Sequence, residues 1–293
     1  MKRVLVVGSA NMDYTVYTDR FPVPGETIFG SSRFIQPGGK GENQAIAIAK
    51  SHKVKCDFIG AIANDTDGSL IKNVLKDNEV NAHLKVIDNT VTGNATILVN
   101  KESENQIIII SGANGLLTPN DIDIELIKKC DYVVLQNEIS EECNAYVMKR
   151  AKEFNKIVVY NPAPYRKLDE ELFKYIDFLV PNRIEFERFS KTSDLEEGAR
   201  KLLSKGIKNV LVTLGTDGSV LINKDEMIHA SAFKVKAIDT VAAGDTYVGY
   251  FVSSLASGYS IKESMTIASK ASSITVTRKG SVVSIPNGEE VYE

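Results

Sequence analysis

Near the C-terminus, Asp239-Thr240-Val241-Ala242-Ala243-Gly244-Asp245-Thr246-Tyr247-Val248-Gly249 sets a carboxylate directly after three residues with almost no side chain. An extended segment gives way there to an apolar helix, so Ala242, Ala243 and Gly244 leave the first helical N–H groups open to an anion, which the helix dipole also favours. Asp245 then lies beside that anion. A carboxylate is a poor neighbour for a phosphate unless it has a proton to accept, so it reads as the general base for an attacking hydroxyl. An ordinary N-terminal aspartate beside a close-packed small stretch is the competing reading.

A second stretch, Pro37-Gly38-Gly39-Lys40-Gly41-Glu42-Asn43-Gln44-Ala45, opens another helix. Its glycines allow close backbone approach to a ligand, and Lys40 and Asn43 supply donors beside it. The spacing is not that of a Walker loop. Asn11 and Asp13, in the loop Gly8-Ser9-Ala10-Asn11-Met12-Asp13 after the first strand, lie two apart. In an extended segment both point the same way and reach neighbouring hydroxyls; a turn held by Asx hydrogen bonds is the alternative. Glu138, Asn161, Asn182 and Glu185 each fall just past a predicted strand end, which points to one rim. Gly215-Thr216-Asp217-Gly218 is a tight turn or a nucleotide contact.

The elements that position these residues alternate. Predicted strands at Met1–Gly8, Asp57–Ala61, His83–Ile87, Tyr132–Gln136, Ile157–Tyr160, Phe178–Val180 and Asn209–Leu214 are separated by helices at Gly68–Asp77, Ser140–Phe154, Leu168–Tyr175 and Leu195–Ser204, the pattern of a parallel sheet. Thr118-Pro119 marks a further helix start. The alternation is interrupted by a strand at Thr27–Gln36 and by a hairpin, Thr92–Asn100 and Gln106–Ser111, around the turn at 101–105; together they could make a small separate sheet that closes over a substrate, with an edge extension or a subunit interface as the other reading. Ser219–Asn223 and strands near Glu226–Ala237 follow. Helices at Gly244–Ser257 and from Ile261 to about Thr275 pack Ala268, Ala271, Ser272 and Ser273 inward.

Composition narrows the function. The 293 residues are 43% hydrophobic, enough for a sizeable core, and 35 basic against 38 acidic residues give a net charge of −3 with no long run of either sign. No footprint for nucleic acid or an anionic membrane is present. Cys56, Cys130 and Cys143 lack paired spacing and His52, His83 and His229 fall nowhere near them, so neither a disulfide framework nor a zinc site is expected. The N-terminus reads as a buried strand and no apolar window reaches spanning length, so a cytoplasmic protein is expected.

Taken in order, these stretches resemble the ribokinase (PfkB) family of sugar kinases. Gly38-Gly39-Lys40-Gly41-x-Asn43-Gln44-Ala45 and Asp239-Thr240-x-Ala242-x-Gly244-Asp245-Thr246 match its two signatures. Around them lie Gly8-Ser9-x-Asn11-x-Asp13, Pro22-x-Pro24-Gly25-Glu26-Thr27, Asn161-Pro162-Ala163-Pro164, Pro181-Asn182-x-x-Glu185, Thr213-Leu214-Gly215 and Thr277-Arg278-Lys279-Gly280. The resemblance implies an α/β fold: a doubly wound, mostly parallel central sheet with helices on both faces, in one kinase domain over 1–293. A β lid, from insertions at about 14–36 and 90–112, would also form a homodimer interface.

The resemblance further implies transfer of the ATP γ-phosphoryl group to the 5-hydroxyl of ribose. Asn11, Asp13, Gly39, Lys40, Asn43 and Glu138 would hold the sugar, with Asp245 as base and Ala242, Ala243 and Gly244 receiving the developing charge. Asn182, Thr213, Gly215, Gly218 and Gly244 would bind nucleotide, and Glu185 would act on magnesium indirectly. Asp239, Val241, Thr275, Arg278, Gly280 and Ser284 match the family's monovalent cation site, for potassium, several through backbone carbonyls. Some positions depart from the pattern. Glu42 replaces the usual alanine and brings an acidic side chain near the pocket unless it points outward at the helix start; Tyr247 and Val248 stand where Phe and Asn are common, and Ala63-Asn64 where Gly-Asp is usual. Deoxyribose, another sugar or a nucleoside is therefore the alternative acceptor, and a non-catalytic sugar-binding regulator the alternative class.

Overall fold

Val4-Leu5-Val6-Val7 has no polar face to offer water, so a strand made from it must be covered on both sides. In the computed structural model, which describes residues 1–102 and 104–293, this segment lies in β1 (Arg3–Val7) and is fully buried. The chain continues through β2 (Asn11–Thr18), β3 (Gly30–Gly38), α1 (Lys40–Lys50), β4 (Lys55–Ala63), α2 (Thr66–Asp77), β5 (Asn81–Ile87), β6 (Gly93–Val99) and β7 (Asn105–Ile110). Then come α3 (Ile124–Lys129), β8 (Tyr132–Leu135), α4 (Glu141–Glu153), β9 (Ile157–Tyr160), β10 (Phe178–Leu179), α5 (Arg183–Ser190) and α6 (Leu195–Ser204). The last elements are β11 (Asn209–Thr213), β12 (Ser219–Asn223), β13 (Met227–Ala230), α7 (Ala243–Ala256), α8 (Ile261–Thr275) and α9 (Gly288–Tyr292).

Nine strands form the main sheet in the order β13-β12-β11-β10-β9-β8-β1-β4-β5. Pairing is parallel from β5 to β11, and β12 and β13 turn back antiparallel. Side chains of β1 alternate between two cores. Val4 and Val6 pack with residues of α1, α2, α7 and α8 on one face, Leu5 and Val7 with residues of α3 to α6 on the other. Among the described residues no helix is long and apolar enough to cross a membrane.

The second sheet has the order β3-β2-β6-β7, and its central pair, β2 with β6, is parallel. It corrects one expectation: Asn11 and Asp13 belong to β2 rather than to a loop, because Asn11 pairs with Gly38 on one side and Gly93 on the other. Strand β3 starts at Gly30, three residues later than Thr27. In the hairpin turn predicted at 101–105, Ser103 lies outside the described residues.

Other departures have local causes. The strand expected near Glu226–Ala237 stops at Ala230, since β13 is the sheet edge and no further strand pairs with the chain beyond it. Leu168–Tyr175 is a 3₁₀ segment over Glu170–Tyr175 rather than an α-helix. After Thr118, Asp121 bends back to bond the Thr118 N–H and hydroxyl, which closes a single turn; the α-helix starts later, behind its own cap, Asp123.

Candidate active site

The loop after β1 and the start of α1 meet at Glu138, whose Oε2 accepts from the Ser9 hydroxyl at 2.5 Å and from the Lys40 N–H at 3.0 Å. Gly39 precedes the helix with φ of 91°, a conformation that only glycine adopts without strain. One helical turn into α1, Asn43 and Gln44 reach across to α7. Asn43 Nδ2 donates to Asp245 Oδ2 at 3.1 Å and Gln44 Nε2 to Asp245 Oδ1 at 3.0 Å. Gln44 is itself held, accepting from Gln136 Nε2 at 2.7 Å and donating to Asn161 Oδ1 at 3.1 Å. Asp245 therefore has a fixed orientation before any substrate arrives.

Charge is concentrated here. Burial alone would depress the Lys40 ammonium, but the fields of Asp245, Glu138, Glu185 and Asp13 outweigh it and hold Lys40 above the usual lysine value. Burial raises the Asp245 carboxyl, opposed by Lys40 and by the Gln44 and Asn43 amides. Asp13 is pushed up to about 7, first by burial and then by repulsion from Glu138 and Asp245. Asp13, Glu138, Glu185 and Asp245 are thus brought together around one ammonium. Glu42 does not point outward: it is fully buried, neither carboxyl oxygen has a hydrogen-bond partner, and burial with the nearby Asp13 charge raises its pKa well above the ordinary value. An unpaired carboxylate in that position would be heavily desolvated, which favours the neutral acid.

Behind α7 opens a cavity of about 480 Å³. Thr213, Gly215, Gly218 and Gly244, four of the five residues expected to bind nucleotide, line it together with Ala243. So do Phe233, Val235 and Ala237 from the irregular segment after β13, and Ser269, Ser272 and Ser273 from α8. Ser272 and Ser273 are half-buried wall residues rather than core, unlike the fully buried Ala268 and Ala271. The cavity meets the start of α7, where Ala242 takes a left-handed φ of 60° and the N–H groups of Gly244 and Asp245 have no acceptor among the described residues. Those donors sit at the positive end of the helix dipole.

Asn182 does not line this cavity. It is exposed and caps α5, accepting from the Glu185 N–H at 2.8 Å while its own N–H donates to Glu185 Oε2 at 2.9 Å. The second carboxylate oxygen of Glu185 accepts no hydrogen bond among the described residues and is a hard ligand suited to hydrated magnesium. Asp239 accepts from the N–H groups of Val241 and Gly280, each at 3.0 Å. Carbonyl oxygens of Val241, Arg278, Gly280 and Ser284 accept no protein hydrogen bond among the described residues, whereas that of Thr275 accepts from the Arg278 N–H at 3.0 Å. Uncommitted carbonyls beside one carboxylate fit a hard monovalent cation.

Residues 1–288 match the family described as pfkB family carbohydrate kinase. The chain belongs to that family. Over 293 residues this kinase is 37% identical to a ribokinase of Lactococcus lactis, covering 99% of this chain and 96% of that one. It is 35% identical to a deoxyribokinase of Salmonella typhi, over 99% and 97% of the two chains. The fold superposes on the structure of an Arabidopsis thaliana ribokinase complexed with ribose and ATP, with a TM-score of 0.93, 33% identity and coverage of 99% and 97%.

One polar residue next to the candidate site residues escaped the motif reading. Asn114, buried after the hairpin, donates to Asn11 Oδ1 at 2.8 Å and exchanges two hydrogen bonds with Ala10, accepting its N–H at 3.0 Å and donating to its carbonyl at 3.1 Å. It fixes Asn11 and the start of β2. The only local signal was Gly112, two residues before it, with φ of 48°.

Proposed function

We propose that this kinase transfers the γ-phosphoryl group of ATP to the 5-hydroxyl of D-ribose, yielding ribose 5-phosphate and ADP. The observation carrying this reading is Asp245: a buried carboxylate oriented by two amides, facing Lys40, and adjoining free N–H donors that border the nucleotide cavity. Asn11, Asp13, Lys40, Asn43 and Glu138 hold the sugar, and Asp245 accepts the proton of the 5-hydroxyl as its oxygen bonds to the γ-phosphorus and the bond to the ADP oxygen breaks. In a loose transition state the base need not be strong, because the hydroxyl acidifies as transfer proceeds. The N–H groups of Gly244 and Asp245 stabilise charge developing on the transferred group; each such donor is worth about 3–4 kcal/mol.

Glu185 would hold magnesium through water, and the 239–241 and 275–284 loops would hold potassium; bound, these ions supply charge neutralisation and a fixed loop shape. Ribose as acceptor is supported by the ribokinase relatives, including the one solved with ribose and ATP. A coupled ATPase assay with ribose, magnesium and potassium tests it, and absence of turnover defeats it. The deoxyribokinase relative supports a second reading, 2-deoxyribose as acceptor. Comparing kcat/KM for the two sugars decides, since a pocket that bonds the 2-hydroxyl discriminates strongly against its absence.

The second sheet serves as lid and homodimer contact in this reading. Ile107, Ile108, Ile109 and Ile110 on its edge strand β7 are all about half exposed or more, a surface suited to a second copy. Sedimentation of the free protein tests it, and a purely monomeric species excludes it.

A further inference from the structure

One side chain of β3 leaves its own sheet. Gln36 lies opposite Asp13 in the β2–β3 register, is almost wholly buried, and uses its carboxamide oxygen to accept the Ser281 N–H at 2.7 Å. The Ser281 hydroxyl returns the link by donating to the Pro37 carbonyl. Gly280, with φ of 95°, permits this approach, because a Cβ there would stand 2.8 Å from Gln36 Oε1. The N–H of Gly280 points the other way, to Asp239, whose other oxygen holds the Val241 N–H. Lys50, at the far end of α1, bonds the Val282 and Ile285 carbonyls at 3.1 and 2.9 Å.

Residues 280 and 281 are therefore gripped from two sides. One grip is the strand paired with the sugar-binding Asp13; the other is the residue at the head of the loop that delivers Ala242, Ala243 and Gly244. We propose that Gln36 is a positioning residue that couples seating of the sugar on Asp13 to the shape of the 239–244 loop. The inference rests on the sugar kinase reading above. A sugar drawn onto Asp13 settles β2 against β3, and the Gln36–Ser281–Gly280–Asp239 chain carries that displacement to the N–H groups that receive the phosphoryl charge. Such coupling is reciprocal, so nucleotide on those N–H groups must tighten sugar binding by the same factor.

The decisive variant is Gln36→Met, which keeps length and volume and removes the acceptor; Gln36→Ala is its companion. Ribose affinity is measured by calorimetry without nucleotide and again with a non-hydrolysable ATP analogue, beside kcat at saturation. In the unsubstituted protein the analogue tightens ribose by about fivefold or more, the lower range of measured couplings. In folded Gln36→Met that tightening is lost and kcat falls about 10- to 100-fold, the scale of a sub-ångström misplacement, while ribose alone binds within about threefold of the parent. An unchanged kcat, or no tightening in the parent, overturns the coupling. Loss of ribose affinity in step with kcat reduces Gln36 to a structural brace and overturns it too. A parent protein without turnover on any acceptor overturns the proposed function, and the coupling with it.

Discussion

Around Lys40 four carboxylates converge, from β2, α5, α7 and the loop after β8, whereas the cavity on the far side of Gly244 holds a single ammonium, Lys234, among Phe233, Val235, Ala237 and small hydroxyl residues. In the proposed reaction the sugar side is specified by charged and amide side chains, with Asn43, Gln44, Glu138 and Asp245 in fixed hydrogen bonds, and replacing any of them removes a charge or a hydrogen-bonding group. The cavity proposed for the nucleotide is specified by shape: glycines, alanines and backbone N–H groups that many residues could supply. In the proposed reaction catalytic demand therefore falls on the polar half, and affinity for the large donor on the apolar one.

The sharpest way to break this contrast is Asp245→Asn, which keeps the side chain's size but cannot take a proton, and which can accept from only one of the Asn43 and Gln44 amides as they stand. It lowers kcat by about 10²–10⁴-fold while ribose, measured by calorimetry, still binds. Retained turnover would show that the polar half only binds. Next comes pH. Asp13, near 7, and Asp245, also raised, must both be ionised, so kcat/KM for the sugar falls as pH drops below about 7, by about tenfold or more per unit well below it. A profile flat from pH 8 to 5 would mean that neither carboxylate acts in its charged form.

On the apolar half, Phe233→Ala raises the KM for ATP by about three- to tenfold and leaves the ribose KM unchanged, as fits loss of a partly exposed aromatic wall. A parallel rise in both constants would erase the distinction between the halves. The smallest effect is on stability. Glu42 takes up a proton on folding because its folded pKa lies above its unfolded one, so stability declines as pH rises from the unfolded carboxyl value toward the folded one, by at most about 1.4 kcal/mol per unit. Glu42→Gln cancels that slope. Melting curves from pH 5 to 8 should diverge, with the variant increasingly the more stable; parallel curves would mean that Glu42 is charged or exposed.

The same contrast explains which parts of the site could be read in the chain. Asp13, Lys40, Asn43 and Asp245 announce themselves because buried charge and amide donors beside small residues have few structural uses. Phe233, Val235 and Ala237 do not, since apolar residues in an extended run look like a strand whether they pair or line a hollow. Asn114 was invisible because its value lies in a contact with Asn11 across about a hundred positions. The parallel sheet was legible from its apolar runs, while its edge at Ala230 depended on how many strands lay beyond it. Glu42 could be placed on the helix but not on a face, because that depends on what packs against α1.

Helix α1 carries Lys40 and Asn43, is buried along nearly its whole length, and fits so closely against α7 that a Cβ on Gly249 would come within 2.4 Å of that of Ala47. During synthesis the two are far apart in time. By the time the ribosome reaches Gly249, Ala47 has been waiting for about 200 residues of elongation, on the order of tens of seconds or less. Until then β1 and β4 can cover only the sheet-facing side of α1, and the side that meets Gly249 has no native cover, so Asn43 and Gln44 cannot be joined to Asp245 before α7 is made.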